Sequence, residues 1–208
     1  MKNSSSNTTR STIRKSGLLP GKTNLRATDI AALRSLLRSI PNVADAQITL
    51  VLPDKIIIAI DERVPWAFLG KQDGKLVLDG EGMVLSKNEC FGVHSRLPVI
   101  SLPSRQLVNA APGKVLPMAA EPLKLLTAVR GCRNFTVRTI LFLDDKFNIK
   151  LDYHYGNNRT RSYTVNMPVG NYAELLEQVK LSINSSLMRG ENYSAVNVLY
   201  DGQTVLSK

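Results

Sequence analysis

The sequence "IPNVADAQITLVLPDKIIIAIDERVPWAFL" at residues 40–69 decides the fold of the first part of the chain. Two apolar runs are separated by a predicted turn at Pro53-Asp54. One face of the first run carries Ala46, Ile48, Leu50 and Leu52, and the other carries Gln47, Thr49 and Val51. The second run returns along the apolar side with Ile56, Ile58 and Ile60. This alternation predicts a β-hairpin with one buried face.

A helix is predicted immediately before the hairpin, at residues 29–39. Its apolar stripe recurs at helical spacing and consists of Ile30, Leu33, Leu37 and Ile40. Thr28 is the predicted N-cap, and Pro41 stops the helix. A helix and a hairpin can bury a small core only by laying the stripe on the apolar strand face. The sequence therefore predicts a small α+β unit that ends near Arg63.

After Pro65 the pattern changes to short strands and two helices. Strands are predicted at residues 66–69, 76–79, 83–86, 136–143, 147–154 and 162–167, and helices at 122–130 and 172–188. The segment "RLPVISLP" at residues 96–103 is interpreted as a linker with a proline towards each end. Asn171 and Glu174 have the spacing of a capping box before the second helix. Two further strands flank Asp201-Gly202.

The charge of the chain is concentrated near its beginning. The net charge is +10; residues 1–38 hold eight Lys and Arg against one acid, so +7 belongs to this segment and +3 to the rest. Such a segment suits a membrane-proximal position or a solvated tail. A nucleic-acid binder more often spreads its basic residues over a folded face. No apolar run reaches the roughly 20 residues that span a bilayer, and no signal peptide is visible.

The sequence matches no short motif of catalysis or metal binding well enough to predict such a site. "GLLPGKT" at residues 17–23 has three residues between its glycines, where a phosphate-binding loop has four. Cys90 and Cys132 cannot form a zinc site alone, and their pairing is left open. His94 and His154 are interpreted as surface or half-buried side chains, although a Cys/His nucleophile is conceivable. We predict a protein that is not an enzyme and has no cofactor and no metal.

The C-terminal sequence "SAVNVLYDGQTVLSK" ends in a predicted strand pair. A terminal strand either closes its own sheet or leaves an edge that accepts a strand from a partner. The sequence is equally consistent with these two arrangements.

Several short motifs follow one another in an order that a known family shares. They are Gly17-Leu18…Gly21…Asn24-Leu25, Ile40-Pro41…Val43…Ala46, Glu62-Arg63…Pro65…Ala67 and Leu76-Val77…Asp79…Gly82…Val84. With the terminal "VNVLYDGQTV", they resemble the bacterial cell-division family FtsQ/DivIB over residues 17–207. Two features depart from the family pattern. Leu199 precedes Tyr200 where the family often has Arg, and no transmembrane helix or first POTRA strand and helix is recognised, so the POTRA domain is expected to be incomplete.

The resemblance implies an α+β architecture with a flexible basic segment (1–16), a POTRA-like domain (17–64) and an FtsQ-type β domain (65–208) with an open C-terminal edge strand. It implies a scaffold of the division machinery in the cytoplasmic membrane, with the ectodomain outside, at the septum. The expected partners are FtsB/FtsL-type proteins by strand addition, other division proteins through the POTRA domain, and the membrane through a missing helix. Nucleic acid is not expected as a partner.

Two groups of residues are predicted to carry this function. The partner-binding group is Tyr193, Val196, Val198, Tyr200, Asp201, Gly202, Val205 and Leu206. The interdomain group is Glu62, Arg63, Pro65 and Trp66, which we expect to hold the two domains as a rigid rod. Replacing Tyr200 with Ala or Val205 with Pro is expected to weaken partner binding without unfolding. The alternatives are a POTRA protein of transport or outer-membrane assembly, an enzyme acting on cell-wall glycans, and a nucleic-acid binder.

Overall fold

The computed structural model describes residues 29–51, 55–90, 93, 96–108, 110–156, 158–199 and 203–208. These residues form two compact units. Unit 1 combines the described part of Met1–Trp66 with Lys75–His94 and Ala111–Val115, and unit 2 combines Ala67–Gly74, Ser95–Ala110 and Leu116–Lys208. The predicted domain boundary at residues 64 and 65 follows the chain, whereas these units join separated segments. That boundary stays a prediction.

Unit 1 begins with helix α1, Ile30–Ser39. Its N-cap is Asp29, whose carboxylate accepts the backbone N–H of Ala32 at 2.9 Å. The predicted cap, Thr28, is one residue too early and lies outside the described residues. Asp29 takes the position because its charged oxygen both accepts the hydrogen bond and faces the positive end of the helix.

The predicted hairpin is formed by β1, Val43–Val51, and β2, Lys55–Glu62, which pair antiparallel with Ile48 opposite Ile58. Together with α1 they enclose a core of Leu33, Leu37, Ile40, Val43 and Ala46, against which Ile48, Ile58 and Ile60 pack. Leu50 was predicted to be buried but is exposed. A ten-residue helix is about 15 Å long and a nine-residue strand about 30 Å, so α1 covers only one end of the hairpin. Leu52 and the Pro53-Asp54 turn lie outside the described residues.

A second hairpin of unit 1 consists of β4, Leu76–Asp79, and β5, Val84–Ser86. The 3-10 turn Lys87–Glu89 follows it. The buried side chain of Asn42 donates a hydrogen bond to the carbonyl of Glu89 at 2.6 Å. Strand β3, Pro65–Leu69, leaves this unit after Trp66.

Unit 2 contains a mixed sheet covered by helices. Its strands are β6, Val99–Ser101, β7, Phe135–Leu143, β8, Lys146–Tyr155, β9, Arg159–Pro168, β10, Ala195–Val198, and β11, Thr204–Ser207. They lie in the order β11-β10-β9-β8-β7-β6-β3. The pairs β7–β8, β8–β9 and β10–β11 are antiparallel, and β3–β6, β6–β7 and β9–β10 are parallel. The α+β prediction is confirmed.

The predicted linker at residues 96–103 is wrong at its centre. Val99–Ser101 forms β6, which pairs with β3 on one side and β7 on the other, and both Val99 and Ile100 are buried. A strand covered on both faces shows no alternation of apolar and polar residues. Its flanking prolines lie just outside the three-residue ladder, where they remove no ladder hydrogen bond. A short helix, α2, Ser104–Leu107, follows it.

Two longer helices pack on the sheet. They are α3, Ala120–Gly131, and α4, Tyr172–Met188, which has the predicted bounds. The capping box is wrong, because Asn171 donates to the Glu174 carboxylate at 3.4 Å and caps no backbone N–H. The buried stripe of α4 is Tyr172, Leu176, Val179, Ile183 and Ser186, while Leu175 and Leu187 are half-buried. Of the helices in the described ranges, none has the length and apolarity needed to cross a membrane.

Candidate partner-binding edge

Strand β11 is the outermost strand at one end of the sheet in unit 2. It pairs with β10 alone, and no strand in the described part of the chain lies beyond it. The sequence left open whether the terminal strand closes its own sheet or forms an edge. The strand order places it at the edge, where one row of its backbone groups has no ladder partner.

The register of β10 and β11 determines which backbone groups face the open edge. Leu199 donates its N–H to the carbonyl of Gln203 at 2.8 Å, and the same register places Asn197 opposite Val205. Hydrogen-bonded pairs recur every second residue in an antiparallel ladder, so the N–H and C=O of Val205 point to β10. The N–H and C=O groups of Thr204 and Leu206 therefore point outward.

The predicted partner-binding residues have different positions on this edge. Val196 and Val198 are buried and hold β10 against the core, whereas Val205 is 50% exposed and Leu206 half-buried. Tyr193 is half-buried before β10. Tyr200, Asp201 and Gly202 lie outside the described residues. Val205 is therefore the predicted side chain that is most accessible on the edge strand itself.

Contacts that the sequence analysis missed hold this edge in place. The Ser182 hydroxyl on α4 forms a hydrogen bond with the Thr204 hydroxyl on β11 at 2.5 Å. Side-chain amides form a second link across three strands, from Asn148 to Asn166 and from Asn166 to Asn197, each at 2.7 Å. These bonds hold β10 and β11 in place within the chain itself. The sequence could not predict this row of asparagines, because their contact depends on the register in which the three strands pair.

The predicted interdomain residues surround a charged corner in unit 1. Arg63 donates from Nη1 to Asp79 at 2.5 Å and to Glu81 at 2.7 Å. Asp79 also accepts the backbone N–H groups of Glu81 and Met83. Burial alone would lower the pKa of Arg63, but the hydrogen bonds to Glu81 and Asp79 outweigh it and raise that pKa. Arg63 thus stays charged and joins the end of β2 to the β4–β5 turn.

The other members of the predicted interdomain group lie beside this corner. Glu62 ends β2 opposite Val43, and the buried Pro65 begins β3. A Cβ added at Gly80 would lie 3.1 Å from the Trp66 ring, so a larger residue at position 80 would press on the indole. The role of Glu62, Arg63, Pro65 and Trp66 between domains stays a prediction.

The two cysteines and His154 do not form a Cys/His pair in the described part of the chain. Cys90 and Cys132 are both free. Burial, together with the carboxylates of Glu89 and Glu62, raises the pKa of Cys90 to about 12 and keeps it a thiol. The two ring nitrogens of His154 lie 2.8 Å from the Thr136 hydroxyl and 2.9 Å from the Thr160 hydroxyl. His94 lies outside the described residues.

Asp152 is a buried carboxylate on β8 that two neighbours stabilise. Its Oδ2 accepts from Arg138 at 2.7 Å, and its Oδ1 accepts from the Ser162 hydroxyl at 2.7 Å. Burial by itself raises the pKa of Asp152, but the hydrogen bonds from Ser162 and Arg138 outweigh burial and hold that pKa below its usual 3.8. The ionised form therefore stabilises the fold above the unfolded-state pKa, and this stabilisation is lost as the pH falls through the lower, folded-state pKa.

Ser162→Ala should lower the free energy of unfolding by about 1 kcal/mol at pH 7, because the ionised Asp152 loses a hydrogen-bond donor. The difference from the wild type should shrink as the pH falls below about 4, where the carboxylate becomes protonated in the unfolded and then in the folded chain. Urea denaturation at pH 7 and pH 3 measures both values. Thr164→Ala, on the same strand, is the matched control. An equal loss at both pH values would contradict the proposed link to Asp152.

Comparison with known proteins finds similarity to one family. The family described as "POTRA domain, FtsQ-type" matches residues 2–63. The chain is 30% identical over 138 residues to the cell division protein FtsQ of Syntrophotalea carbinolica, which covers 65% of this chain and 48% of that protein. It is 44% identical over 57 residues to FtsQ of Novosphingobium aromaticivorans, covering 27% of this chain and 18% of the relative. It is also 32% identical over 75 residues to the cell division protein DivIB of Clostridium tetani, covering 36% of this chain and 28% of that relative.

These matches span about half the length of the first relative and less than a third of the other two. The order of motifs along the sequence, the helix and hairpin of unit 1 and the mixed sheet of unit 2 agree with the same assignment. The family match and these relatives together support the assignment of this chain to the FtsQ/DivIB family of cell division proteins.

Proposed function

We propose that this chain is a non-enzymatic scaffold of the division machinery that offers β11 to a partner strand. The observation that carries the proposal is the position of β11 at the end of the sheet, with the backbone groups of Thr204 and Leu206 pointing outward. A partner in extended conformation can satisfy these groups by adding a strand. The partner class we propose is a small bitopic division protein of the FtsB or FtsL type.

The packing behind β11 supports this mode of binding. The Ser182–Thr204 hydrogen bond holds one end of the strand on α4, and the buried Val196 and Val198 hold β10 below it. A strand that is already ordered loses less conformational entropy when a partner pairs with it. The half-exposed Val205 then supplies apolar area beside the backbone hydrogen bonds.

The family and the charge distribution support the cellular setting that we propose. The relatives are named cell division proteins, and the net charge of +7 in residues 1–38 suits a segment close to an anionic membrane surface. We place the β domain outside the cytoplasmic membrane at the septum, where it helps to control peptidoglycan synthesis. The POTRA-like domain at residues 17–64 would contact other division proteins.

Leu206→Pro tests strand addition, because proline removes an outward-facing N–H. Leu206→Ala is the matched control, since it removes the side chain and keeps that N–H. We expect the Pro variant to bind the extracytoplasmic segment of the FtsB-type protein of the same organism with an affinity roughly ten-fold lower than the Ala variant. Isothermal titration calorimetry measures both affinities, and circular dichroism confirms that both variants are folded.

Val205→Pro, the variant that the sequence alone suggests, is the less suitable test. The N–H of Val205 faces β10, so proline there would break a hydrogen bond inside the protein's own sheet. Equal affinities of Leu206→Pro and Leu206→Ala would contradict strand addition at this edge.

A further inference from the structure

A basic cavity on the face of the sheet in unit 2 belongs to neither β11 nor the charged corner. It has a volume of about 480 Å³, and its lining includes Arg96, Thr136, Arg138, Asp152 and His154. Asp152 and His154 belong to β8, which is three strands from β11 in the sheet. At about 4.8 Å per strand, the cavity is roughly 14 Å away from the edge strand.

The carboxylate in the cavity orients one of the two arginines. Nε and Nη2 of Arg138 lie 2.7 and 2.6 Å from the same oxygen of Asp152. The Asp152 side chain is 6% exposed, whereas that of Arg138 is 70% exposed. Nη1 is not used by Asp152. Asp152 therefore fixes the orientation of the guanidinium through Nε and Nη2. The N–H groups of Nη1 and the second N–H of Nη2 face solvent, in the fork geometry that binds a carboxylate.

The remaining charge of the cavity is positive. Asp152 is already occupied by Arg138 and Ser162. Among the residues that the structure describes, Arg96 has no acidic partner. Two guanidinium groups against one carboxylate leave a net charge of +1, without counting the imidazole of His154. A group with a single negative charge balances this site better than a doubly charged phosphate does.

A second cavity of about 450 Å³ continues the polar face. It shares His154 with the first and is lined also by Asn134, Tyr155, Asn158 and Arg159. Among its described lining residues, Arg159 is the one Lys, Arg, Asp or Glu. The two neighbouring cavities thus form a polar, basic strip on which an extended chain with spaced acidic side chains could lie.

We infer that this strip, which we call the basic strip, binds an acidic peptide segment of a partner protein, with one carboxylate between Arg96 and Arg138. The Thr136 hydroxyl contacts His154 Nε2, and the Asn134 amide nitrogen donates to the His154 carbonyl, so the side-chain carbonyl oxygen of Asn134 is the group we expect to accept from a peptide N–H. Nucleic acid is a poorer match, because binding of single strands relies on a series of stacking aromatic rings, and among the described lining residues of the two cavities Tyr155 is the one Phe, Tyr or Trp. This surface is additional to the proposed strand addition and does not depend on it.

The test uses the full chain, labelled with ¹⁵N, and a capped octapeptide of alternating Glu and Thr. We expect the peptide to shift the backbone amide signals of Thr136, Arg138 and His154, and its Gln-for-Glu analogue to leave them unchanged. Arg96→Gln should weaken binding about ten-fold, because it removes one arm of the charge-assisted contact. Arg96 is exposed, so this change should leave the fold intact.

Lys150→Gln is the matched control, because Lys150 is exposed on the same strand as Asp152 and lies outside the cavity lining. It should change the affinity by less than about two-fold. Equal losses in both variants, or no shift at the three amides, would overturn the site, since diffuse attraction to a chain of net charge +10 would then explain any binding. Tighter binding of inorganic phosphate with the same shifts would overturn the carboxylate assignment.

Discussion

Asp79→Ala should lower the free energy of unfolding of unit 1 by about 3 kcal/mol or more. The Asp79 side chain is 5% exposed and accepts hydrogen bonds from Arg63 and from two backbone N–H groups. Alanine would leave these donors without their acceptor, and among the described residues the half-buried guanidinium would keep the exposed Glu81 as its ionic partner. Removal of a buried acceptor destabilises the protein by more than its hydrogen bonds stabilise it, because the donors that remain are buried without a partner.

Trp66 reports this unfolding, because it is the one tryptophan in the sequence and lies in unit 1 beside Gly80. Urea denaturation followed by tryptophan fluorescence measures the change. Glu81→Gln is the matched control: its side chain is 79% exposed, so the loss of its ion pair should cost less than about 1 kcal/mol. If both variants unfolded at the same urea concentration, Asp79 would not be the centre of the charged corner.

Phe147→Ala should lower the free energy of unfolding of unit 2 by about 3–5 kcal/mol. The Phe147 ring is buried on β8, stacks on Phe142 with centroids 4.8 Å apart, and meets Tyr172 of α4 edge-on at 5.8 Å. Alanine would remove both contacts and leave a cavity between the sheet and α4. Far-UV circular dichroism during urea denaturation measures the loss.

Leu181→Ala is the matched control for Phe147→Ala, because Leu181 is a large apolar residue on the exposed side of α4. Its replacement should change the free energy of unfolding by less than about 0.5 kcal/mol. A loss for Phe147→Ala no larger than that of the control would show that α4 is not held on the sheet by this aromatic cluster.

The success of the sequence-based predictions depends on how local each signal is. Helix α4 and strand β8 were predicted closely, because their apolar residues recur with the periods of a helix and of a half-buried strand. The same reasoning failed for β6, whose burial on both faces removes the alternation. It also placed the cap of α1 one residue early, since Thr28 and Asp29 are adjacent and both suit an N-cap.

Prediction of the candidate sites required knowledge of long-range strand pairing, which the sequence does not supply. The sequence indicated a terminal strand pair but could not say that Leu206, and not Val205, directs its N–H outward, because this depends on the register with β10. Arg63 was predicted from the sequence as one of the interdomain residues, yet its partners Asp79 and Glu81 follow only from the way the β4–β5 turn folds back. The amide row of Asn148, Asn166 and Asn197 requires a parallel pairing of β9 and β10, with α4 between them in the sequence.

The sequence by itself determined the kinds of elements, their order and the resemblance to a family, because periodicity, turn residues and motif order are properties of neighbouring residues. Only the tertiary structure decided which strand is the open edge and which of its amides faces outward. It also decided that Arg96, Arg138 and His154 surround one cavity. These features arise where distant segments pair, and the free energy of that pairing depends on burial and register over the whole sheet.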